Sequence, residues 1–250
     1  ASMAREHEII EVDVLVVVGG PAGLATAYHL KQLLNQTGRN HISIAILEKG
    51  KEIGSHIMSG AVMDPRGIAE LIPDWLAKGA PVESRVDEDY VYYLTPNRKL
   101  SLPIIPGPLR NKGNYIISLN KFVRWLGEVV EKSGVDMLVG FSGSELLIEN
   151  EQVVGVRTAD KGLDREGKPK LNYEPGVDIR ATLTVLAEGA RGSLTKQIVR
   201  RFGLDVDRNP QVYSIGVKEV WEVPGQEAHR GRVIHTMGFP LASDEFGGGF

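Results

Sequence analysis

The sequence predicts an α/β fold, because a buried strand, a glycine-rich turn and a helix follow one another near its start. The strand is the near-continuous apolar run Val12–Val18. The turn contains Gly19 and Gly20, after which Pro21 begins a helix that extends to about Leu34. Free N–H groups and the positive dipole end at the start of such a helix attract phosphates, so this arrangement is typical of a dinucleotide-binding domain.

A second strand, His41–Leu47, completes one βαβ unit and ends at Glu48. A carboxylate at this position accepts hydrogen bonds from the ribose hydroxyls of a dinucleotide and repels a 2′-phosphate. The alternative is a solvated glutamate beside Lys49 at an ordinary strand end. The glycine turn that precedes this strand favours the ribose site.

The glycine turn departs from the G-x-G-x-x-G pattern at one position. Gly20 and Gly23 occupy the second and third glycine positions, but Val18 stands at the first. A glycine there allows the tight turn out of the strand, whereas a β-branched residue tolerates strained backbone angles poorly. We therefore expect weak dinucleotide binding or none, and a plain βα turn without a ligand is the alternative.

Further along the chain, the pattern predicts one strongly amphipathic helix, Ser118–Ser133, and a hairpin that turns at Asn150 and Glu151. A strand Asp178–Ala187 ends at a second turn of small residues, Glu188–Gly192, before another helix. The other predicted segments are a short helix Ile68–Trp75, a strand Val135–Val139, a polar loop Gly162–Gly176, and the strands Gln211–Val223 and Arg232–Met237.

Composition and charge exclude several classes of function. The chain has 250 residues and a formal net charge of −3, which gives no case for nucleic acid as its main partner. It has no cysteine, so disulfides, thiolate metal sites and a cysteine nucleophile are excluded within it. The histidines lack metal-ligand spacing, and we predict no metal site in this chain. No signal or transit peptide is visible, and no apolar run reaches about 18 residues.

The segment Ile53–Trp75 mixes apolar side chains with charges and has two interpretations. It suits a membrane-surface segment with its charges outward, joined by the apolar stretch Leu100–Leu109. It also suits a core helix beneath a proline-rich loop, and the pattern alone favours the core.

Several motifs together resemble electron-transfer flavoprotein:ubiquinone oxidoreductases, from about Val12 to the last residue. Those downstream of the glycine turn are more specific than the turn itself, which many flavoproteins share. The motifs are Val16–Ala25, Leu47–Gly50, Ile53–His56, Met58–Ala61, Met63–Pro65, Leu71–Trp75, Gly79–Pro81, Gly113–Tyr115, Ala187–Gly192, Ile215–Trp221, His235–Thr236 and Phe246–Gly248.

The resemblance implies an FAD enzyme on a glutathione-reductase-like fold, a Rossmann domain with an inserted β-rich quinone or substrate domain. Such an enzyme takes electrons from reduced electron-transfer flavoprotein and passes them to ubiquinone at a membrane surface. Residues 10–81 and 117–203 are expected to form the FAD-binding domain, 82–116 a β-rich insertion, and 204–250 the start of the quinone-binding domain. Membrane contact is expected in Ile53–Asp74, on a peripheral or monotopic inner-membrane protein that faces the bacterial cytoplasm or the mitochondrial matrix.

The resemblance also implies site residues. Contact with ubiquinone is expected at Gly247 and Gly248. No general acid or base is required in this part of the protein, because electron transfer depends on cofactor proximity and potential. Contact with FAD is expected at Val18, Gly19, Gly20, Pro21, Ala22, Gly23, Glu48, Lys49, Ser118, Glu188, Gly189, Ala190 and Gly192.

The sequence departs from the family in three ways. Val18 replaces a glycine, and both the third FAD-binding segment and the four cysteines that hold a 4Fe–4S cluster are expected beyond Phe250. An end on Phe250 after Gly247–Gly249 is typical of an interrupted domain, so we expect an incomplete fragment. Two alternatives stay open: a geranylgeranyl-reductase-like or hydroxylase-like flavoenzyme, and a fragment or binding module that holds no FAD.

Overall fold

The computed structural model describes residues 7–58, 60–225, 229–241 and 247–249. The chain divides into two compact units. Unit 1 comprises Ala1–Ile57 and Val123–Ser214, and unit 2 comprises Met58–Phe122 and Ile215–Phe250.

Strands and helices alternate along the chain. The helices are α1 (Pro21–Gln36), α2 (Arg66–Leu71), α3 (Leu119–Lys132) and α4 (Ser193–Phe202), with a 3-10 turn at Gly107–Leu109. The strands are β1 (Ile9–Val17), β2 (Ile44–Glu48), β3 (Ala61–Met63), β4 (Ser84–Arg85), β5 (Glu88–Leu94), β6 (Lys99–Ser101), β7 (Tyr115–Ile117), β8 (Asp136–Val139), β9 (Gly143–Glu149), β10 (Gln152–Thr158), β11 (Lys161–Leu163), β12 (Pro169–Glu174), β13 (Asp178–Leu186) and β14 (Arg232–Gly238).

Unit 1 is built on a six-stranded sheet with the strand order β8-β2-β1-β13-β10-β9. The first four strands are mutually parallel, and β10 and β9 are antiparallel. β1 lies in the middle of the parallel part, where Val16 is opposite Ile46 on one side and Val185 on the other. Apolar residues of β1 such as Leu15 are fully buried, as expected for a strand covered on both faces. The predicted strand–turn–helix–strand unit is confirmed.

A hairpin of β9 and β10 extends this sheet. Asn150 and Glu151 have φ values of 49° and 60°, the left-handed backbone that a two-residue hairpin turn requires, so the predicted turn is confirmed. Arg157 on β10 donates from Nε and Nη2 to the two carboxylate oxygens of Asp178 at 2.6 and 2.8 Å. These hydrogen bonds hold the pKa of Asp178 below its ordinary value. They tie β10 to β13, where the antiparallel and parallel parts of the sheet join.

Unit 2 contains two three-stranded sheets, β14-β5-β6 and β3-β7-β4. β14 pairs with β5 in parallel, so the predicted strand Arg232–Met237 is confirmed and shares a sheet with the β-rich segment 82–116. Edge-on ring contacts place Trp75 between Tyr115 and Phe122, at centroid distances of 5.2 and 6.3 Å. These aromatic rings form part of the core of unit 2.

Three sequence predictions about secondary structure were wrong. The helix predicted at Ile68–Trp75 spans Arg66–Leu71, because Pro73 cannot continue the hydrogen-bond ladder. The predicted polar loop Gly162–Gly176 contains the hairpin β11–β12. The predicted strand Gln211–Val223 is exposed throughout and has no strand partner among the described residues, and an alternating pattern forms a strand only where a neighbour pairs with it.

Candidate nucleotide-binding site

The strands β1, β2 and β13 end at one edge of the sheet in unit 1, and a cavity of about 330 Å³ lies there. In parallel α/β sheets, ligands bind outside the carboxyl ends of the strands. The cavity therefore lies at the sheet edge where the sequence predicted a nucleotide, but Gly19–Gly23 and Glu48 are not among the described residues that line it. It is lined by Val17, Val18, Leu47, Lys49, Phe141, Ser142, Gly143, Glu188, Arg191, Gly192 and Ser193.

Val18 adopts the backbone conformation that its position demands. Its φ is 79°, in the left-handed region that a β-branched residue rarely adopts. Such a conformation costs about 1 to 3 kcal/mol and persists only where its surroundings impose it. Here the Val18 N–H donates to the Leu47 carbonyl at 2.7 Å, which continues the pairing of the strands past the end of β1. Val18 also lines the cavity, and its side chain packs against the apolar cluster that includes Val17 and Leu47.

The glycines after Val18 differ in how much space surrounds them. A Cβ at Gly23 would lie 2.1 Å from the Val18 carbonyl oxygen, so only glycine allows α1 to approach β1 this closely. A Cβ at Gly20 would meet nothing within 4 Å. Gly23 thus has the close-packing function of the third glycine in the pattern, while the space beside Gly20 stays open for a ligand.

The start of α1 offers an anion-binding end. Gly20 is its N-cap residue, and no side chain caps the helix there. The first intrahelical hydrogen bond runs from the Leu24 N–H to the Gly20 carbonyl at 2.9 Å. Pro21 and Ala22 are exposed in the first turn, and Pro21 has no N–H to satisfy. An uncapped helix start of this kind presents N–H groups and a positive dipole end to a phosphate.

Glu48 is buried beside this turn and organises it. Its Oε2 accepts the Gly19 N–H at 3.0 Å, and its Oε1 accepts the Gly50 N–H at 2.7 Å. His56 Nδ1 lies 4.0 Å from Oε1. Each carboxylate oxygen has two lone pairs, so Glu48 can hold the turn and still accept hydrogen bonds from ribose hydroxyls.

The second glycine turn uses its carboxylate differently. Glu188 accepts the N–H groups of Leu194 and Thr195 at 3.2 and 2.7 Å and the hydroxyl of Thr195 at 2.8 Å. This side chain therefore caps the start of α4. Gly189 has a φ of 78°, which glycine adopts without strain. Glu188 and Gly192 line the cavity, whereas Gly189 and Ala190 are exposed and are not among the described residues that line it.

The sequence interpretation missed part of the cavity wall. Phe141 and Ser142 follow β8, whose carboxyl end lies beside that of β2. The Phe141 N–H donates to the Glu48 carbonyl at 3.0 Å, which places the loop after β8 against the end of β2. Residues after a predicted parallel strand were the available signal, since all such strands end at one edge of the sheet. Arg191 lies in the predicted Glu188–Gly192 turn, but it was not among the predicted contact residues, because no pattern distinguishes it from a solvated arginine.

The remaining predicted contacts belong to unit 2. Ser118 accepts the Lys121 N–H at 3.5 Å on its hydroxyl and lies at the start of α3. Gly247 and Gly248 lie beside β14, and the neighbouring Gly249 exchanges backbone hydrogen bonds with Thr236 at 2.7 and 3.0 Å. A Cβ at Gly248 would lie 2.3 Å from the Thr236 carbonyl oxygen, so a glycine is required for this approach.

The predicted membrane segment contains both buried and exposed apolar side chains. Ile68, Ile72 and Trp75 are 8%, 0% and 4% exposed, as a core helix and the turn after it require. Met58, by contrast, is 59% exposed, and Ile104 in the proline-rich loop is 74% exposed. Within the part of the chain that the structure describes, no helix combines the length and apolar character needed to cross a membrane.

Comparisons of the sequence with a family model and with curated proteins point to the same family. A family model described as "ETF-QO, ubiquinone-binding" matches residues 213–250. The chain is 46% identical over 241 residues to the mitochondrial electron transfer flavoprotein-ubiquinone oxidoreductase of Dictyostelium discoideum, and 43% identical over 250 residues to the corresponding protein of Pseudomonas aeruginosa. These matches cover 96% and 98% of this chain but only 39% and 45% of those relatives, so the chain spans about two fifths of their length.

Solved structures share the fold. A flavoprotein/dehydrogenase from Cytophaga hutchinsonii matches with a TM-score of 0.52 and 16% identity, over 90% of this chain and 50% of that chain. A geranylgeranyl bacteriochlorophyll reductase-like protein from Thermoplasma acidophilum matches with a TM-score of 0.50 and 23% identity, over 72% of this chain and 39% of that chain. At such identities the likeness concerns the fold alone, a mixed α/β fold of flavoenzymes.

Proposed function

We propose that this chain, which belongs to the family of electron transfer flavoprotein–ubiquinone oxidoreductases, binds FAD at the carboxyl edge of the sheet in unit 1. In the whole protein, electrons would pass from reduced electron transfer flavoprotein to ubiquinone. One observation carries the proposal: an uncapped helix start at Gly20 lies in the turn that the buried carboxylate of Glu48 organises. These are the two groups that a dinucleotide requires, for its pyrophosphate and its ribose.

Each residue of the site has a defined task in this proposal. The N–H groups at the start of α1 would hold the pyrophosphate, which can approach closely because Gly20 has no Cβ. Glu48 would accept hydrogen bonds from the adenosine ribose. Lys49 and Arg191 add positive charge at the cavity rim, opposite in sign to the phosphates. The cavity of about 330 Å³ adjoins the glycine turn at Val18 and would hold only part of FAD.

Bound FAD would supply the electron-transfer chemistry. The chain itself would position the cofactor and exclude water around it through the buried ends of β1 and β2. In unit 2, Gly247 and Gly248 would contact the quinone through their backbone atoms. The match of residues 213–250 to the ubiquinone-binding family model supports this assignment. The iron–sulfur cluster that the resemblance implies for the whole protein would need ligands outside this chain, which has no cysteine.

Contact with a membrane surface is also part of the proposal, through exposed apolar residues such as Met58 and Ile104. A charge at Ile104 should reduce co-sedimentation with liposomes, because this side chain is free to enter the lipid surface. A charge at Ile68 would not test membrane contact, because that side chain is buried and a charge there would destabilise the fold of unit 2. Unchanged co-sedimentation of the Ile104→Glu variant would contradict the membrane contact.

The test of FAD binding compares the purified chain with its Val18→Gly variant. Removing the side chain opens the cavity and relieves the left-handed strain, so the variant should bind FAD about tenfold more tightly, equivalent to 1.4 kcal/mol. Binding is measured by quenching of flavin fluorescence, and stability is measured separately by urea denaturation. A gain in stability without a gain in FAD affinity would mean that Val18 does not obstruct the ligand.

The variant also supplies the background in which to test Glu48. In Val18→Gly protein, Glu48→Gln should lower FAD affinity by about tenfold, since the ribose loses its anionic acceptor. Glu52→Gln is the matched control, because Glu52 is exposed and pairs with Arg124. Absence of flavin binding in both the parent chain and the Val18→Gly variant would overturn the proposal and favour a chain that holds no FAD.

A further inference from the structure

A second cavity in unit 1 lies along α4 and is strongly cationic. Its volume is about 640 Å³, within the range of small-molecule sites. Lys196, Arg200 and Arg208 line it, together with one carboxylate, Asp205, so the charged side chains of its wall sum to +2. This is unusual in a chain whose formal net charge is −3.

The cations of this cavity have no partners within the described residues. Lys196 and Arg200 are four residues apart on α4, so they share a face where like charges repel. Neither they nor Arg208 forms an ion pair or a side-chain hydrogen bond in the part of the chain that the structure describes. Arg201, the next residue on the helix, pairs with Glu151 instead. Arg201 therefore has an ion-pair partner, whereas Lys196, Arg200 and Arg208 have none among the described residues.

The loop after α4 shapes the cavity into a pocket. Gly203 ends the helix in a left-handed conformation with a φ of 60°, and the chain turns back along the helix. The Tyr213 hydroxyl donates to the Gln211 side chain at 3.0 Å and lies 3.4 Å from the Ala190 carbonyl. Arg191 covers the Tyr213 ring at 5.3 Å. The pocket thus combines a ring and three cations, while the Thr195 hydroxyl in its wall donates to Glu188.

We propose that this pocket binds a soluble phosphorylated small molecule, at a site that adjoins the FAD cavity at Gly192 but has its own set of charged side chains. A phosphate monoester carries about −2 charges at neutral pH, which matches the net charge of the wall. The two arginines offer planar forks for phosphate oxygens, and Lys196 adds a point charge. Tyr213 and the apolar Val199 would contact the organic part of the ligand.

The experiment titrates the chain with inorganic pyrophosphate and with ATP, without divalent cations, by calorimetry. The triple variant Lys196→Gln, Arg200→Gln, Arg208→Gln should weaken binding of both probes by about tenfold or more. Arg201→Gln is the matched control on the same helix and should change binding less than about twofold, because its charge is directed at Glu151. Tighter binding of ATP than of pyrophosphate would indicate that the pocket also recognises the organic part.

Other sources of the signal give distinct results. Loss of binding in the Glu48→Gln variant, with the triple variant unaffected, would assign the probes to the FAD cavity and overturn the proposal. Binding to vesicles that contain anionic lipid, without binding to soluble pyrophosphate, would overturn it in favour of a membrane contact. Equal competition by poly-glutamate would overturn it in favour of an acidic protein partner. Flavin fluorescence is read separately, so failure of FAD binding and failure of this site are distinguishable.

Discussion

The two glycine turns of unit 1, Val18–Gly20 and Glu188–Gly192, have the same backbone arrangement but differ in whether a carboxylate caps the helix that follows. Each follows a strand in the parallel part of the sheet, contains a residue with a φ close to 80° and precedes a helix. In the first turn, the left-handed residue is Val18 and the helix start is uncapped. In the second, it is Gly189 and the carboxylate of Glu188 caps the helix.

This difference in helix capping indicates which turn is open to a phosphate. A helix start attracts an anion only while its N–H groups lack another acceptor. At α4 the acceptor is Glu188, which already supplies the negative charge. At α1 the nearby carboxylate of Glu48 instead accepts N–H groups of the loops, at Gly19 and Gly50, and leaves the helix start free.

The largest expected effect on stability comes from adding a side chain at Gly23, just after the first turn. Gly23→Ala puts a Cβ 2.1 Å from a backbone oxygen, which cannot move aside as a flexible side chain could. We expect unfolding free energy to fall by about 3 kcal/mol, as for an overpacked core position. Urea denaturation followed by circular dichroism measures it.

Gly20→Ala is the control in the same turn. A Cβ there meets nothing within 4 Å, so the change in unfolding free energy should stay within about 1 kcal/mol. Equal losses from the two substitutions would show that the close approach of α1 to β1 does not distinguish Gly23.

A smaller effect is expected from uncapping the second turn. Glu188→Ala removes the acceptor of two N–H groups at the start of α4 and makes this turn resemble the first one. Unfolding free energy should fall by about 1 to 2 kcal/mol, the cost of a lost helix cap, in protein that contains no flavin.

Glu151→Ala is the comparison variant for this prediction. It removes a carboxylate from an exposed ion pair with Arg201, which contributes little to stability. If Glu188→Ala is as mild as Glu151→Ala in urea denaturation, Glu188 does not cap α4, and a ligand contact becomes its better interpretation.

Much of unit 1 could be predicted because its signals are local. The apolar run before Gly19, the proline after Gly20 and the acid at Glu48 all lie within one βαβ unit. The hairpin turn at Asn150 and Glu151 was predictable for the same reason. The cavity wall at Phe141 was not predicted, because it depends on which strands become neighbours in the sheet.

The segments whose patterns fit more than one structure depend on distant partners. Ile68 and Trp75 alternate with charges in a way that fits a membrane surface or a core, and only their burial in unit 2 decides between the two. Gln211–Val223 has a strand pattern, but a strand also needs a paired neighbour. Arg232–Met237 has a similar pattern, and its pairing with β5 makes it a strand.

The sequence by itself determined the βαβ unit, the uncapped start of α1 and the position of Glu48 at the end of a strand, because these follow from periodicity and neighbouring residues. Only the tertiary structure decided that Val18 lies in a left-handed conformation, that Glu188 is occupied as a helix cap and that three cations share one pocket. Val18 is held by pairing with Leu47 on a neighbouring strand, while Glu188 and the three cations are brought to their partners by the turns of the chain before and after α4, which hydrophobic periodicity does not encode.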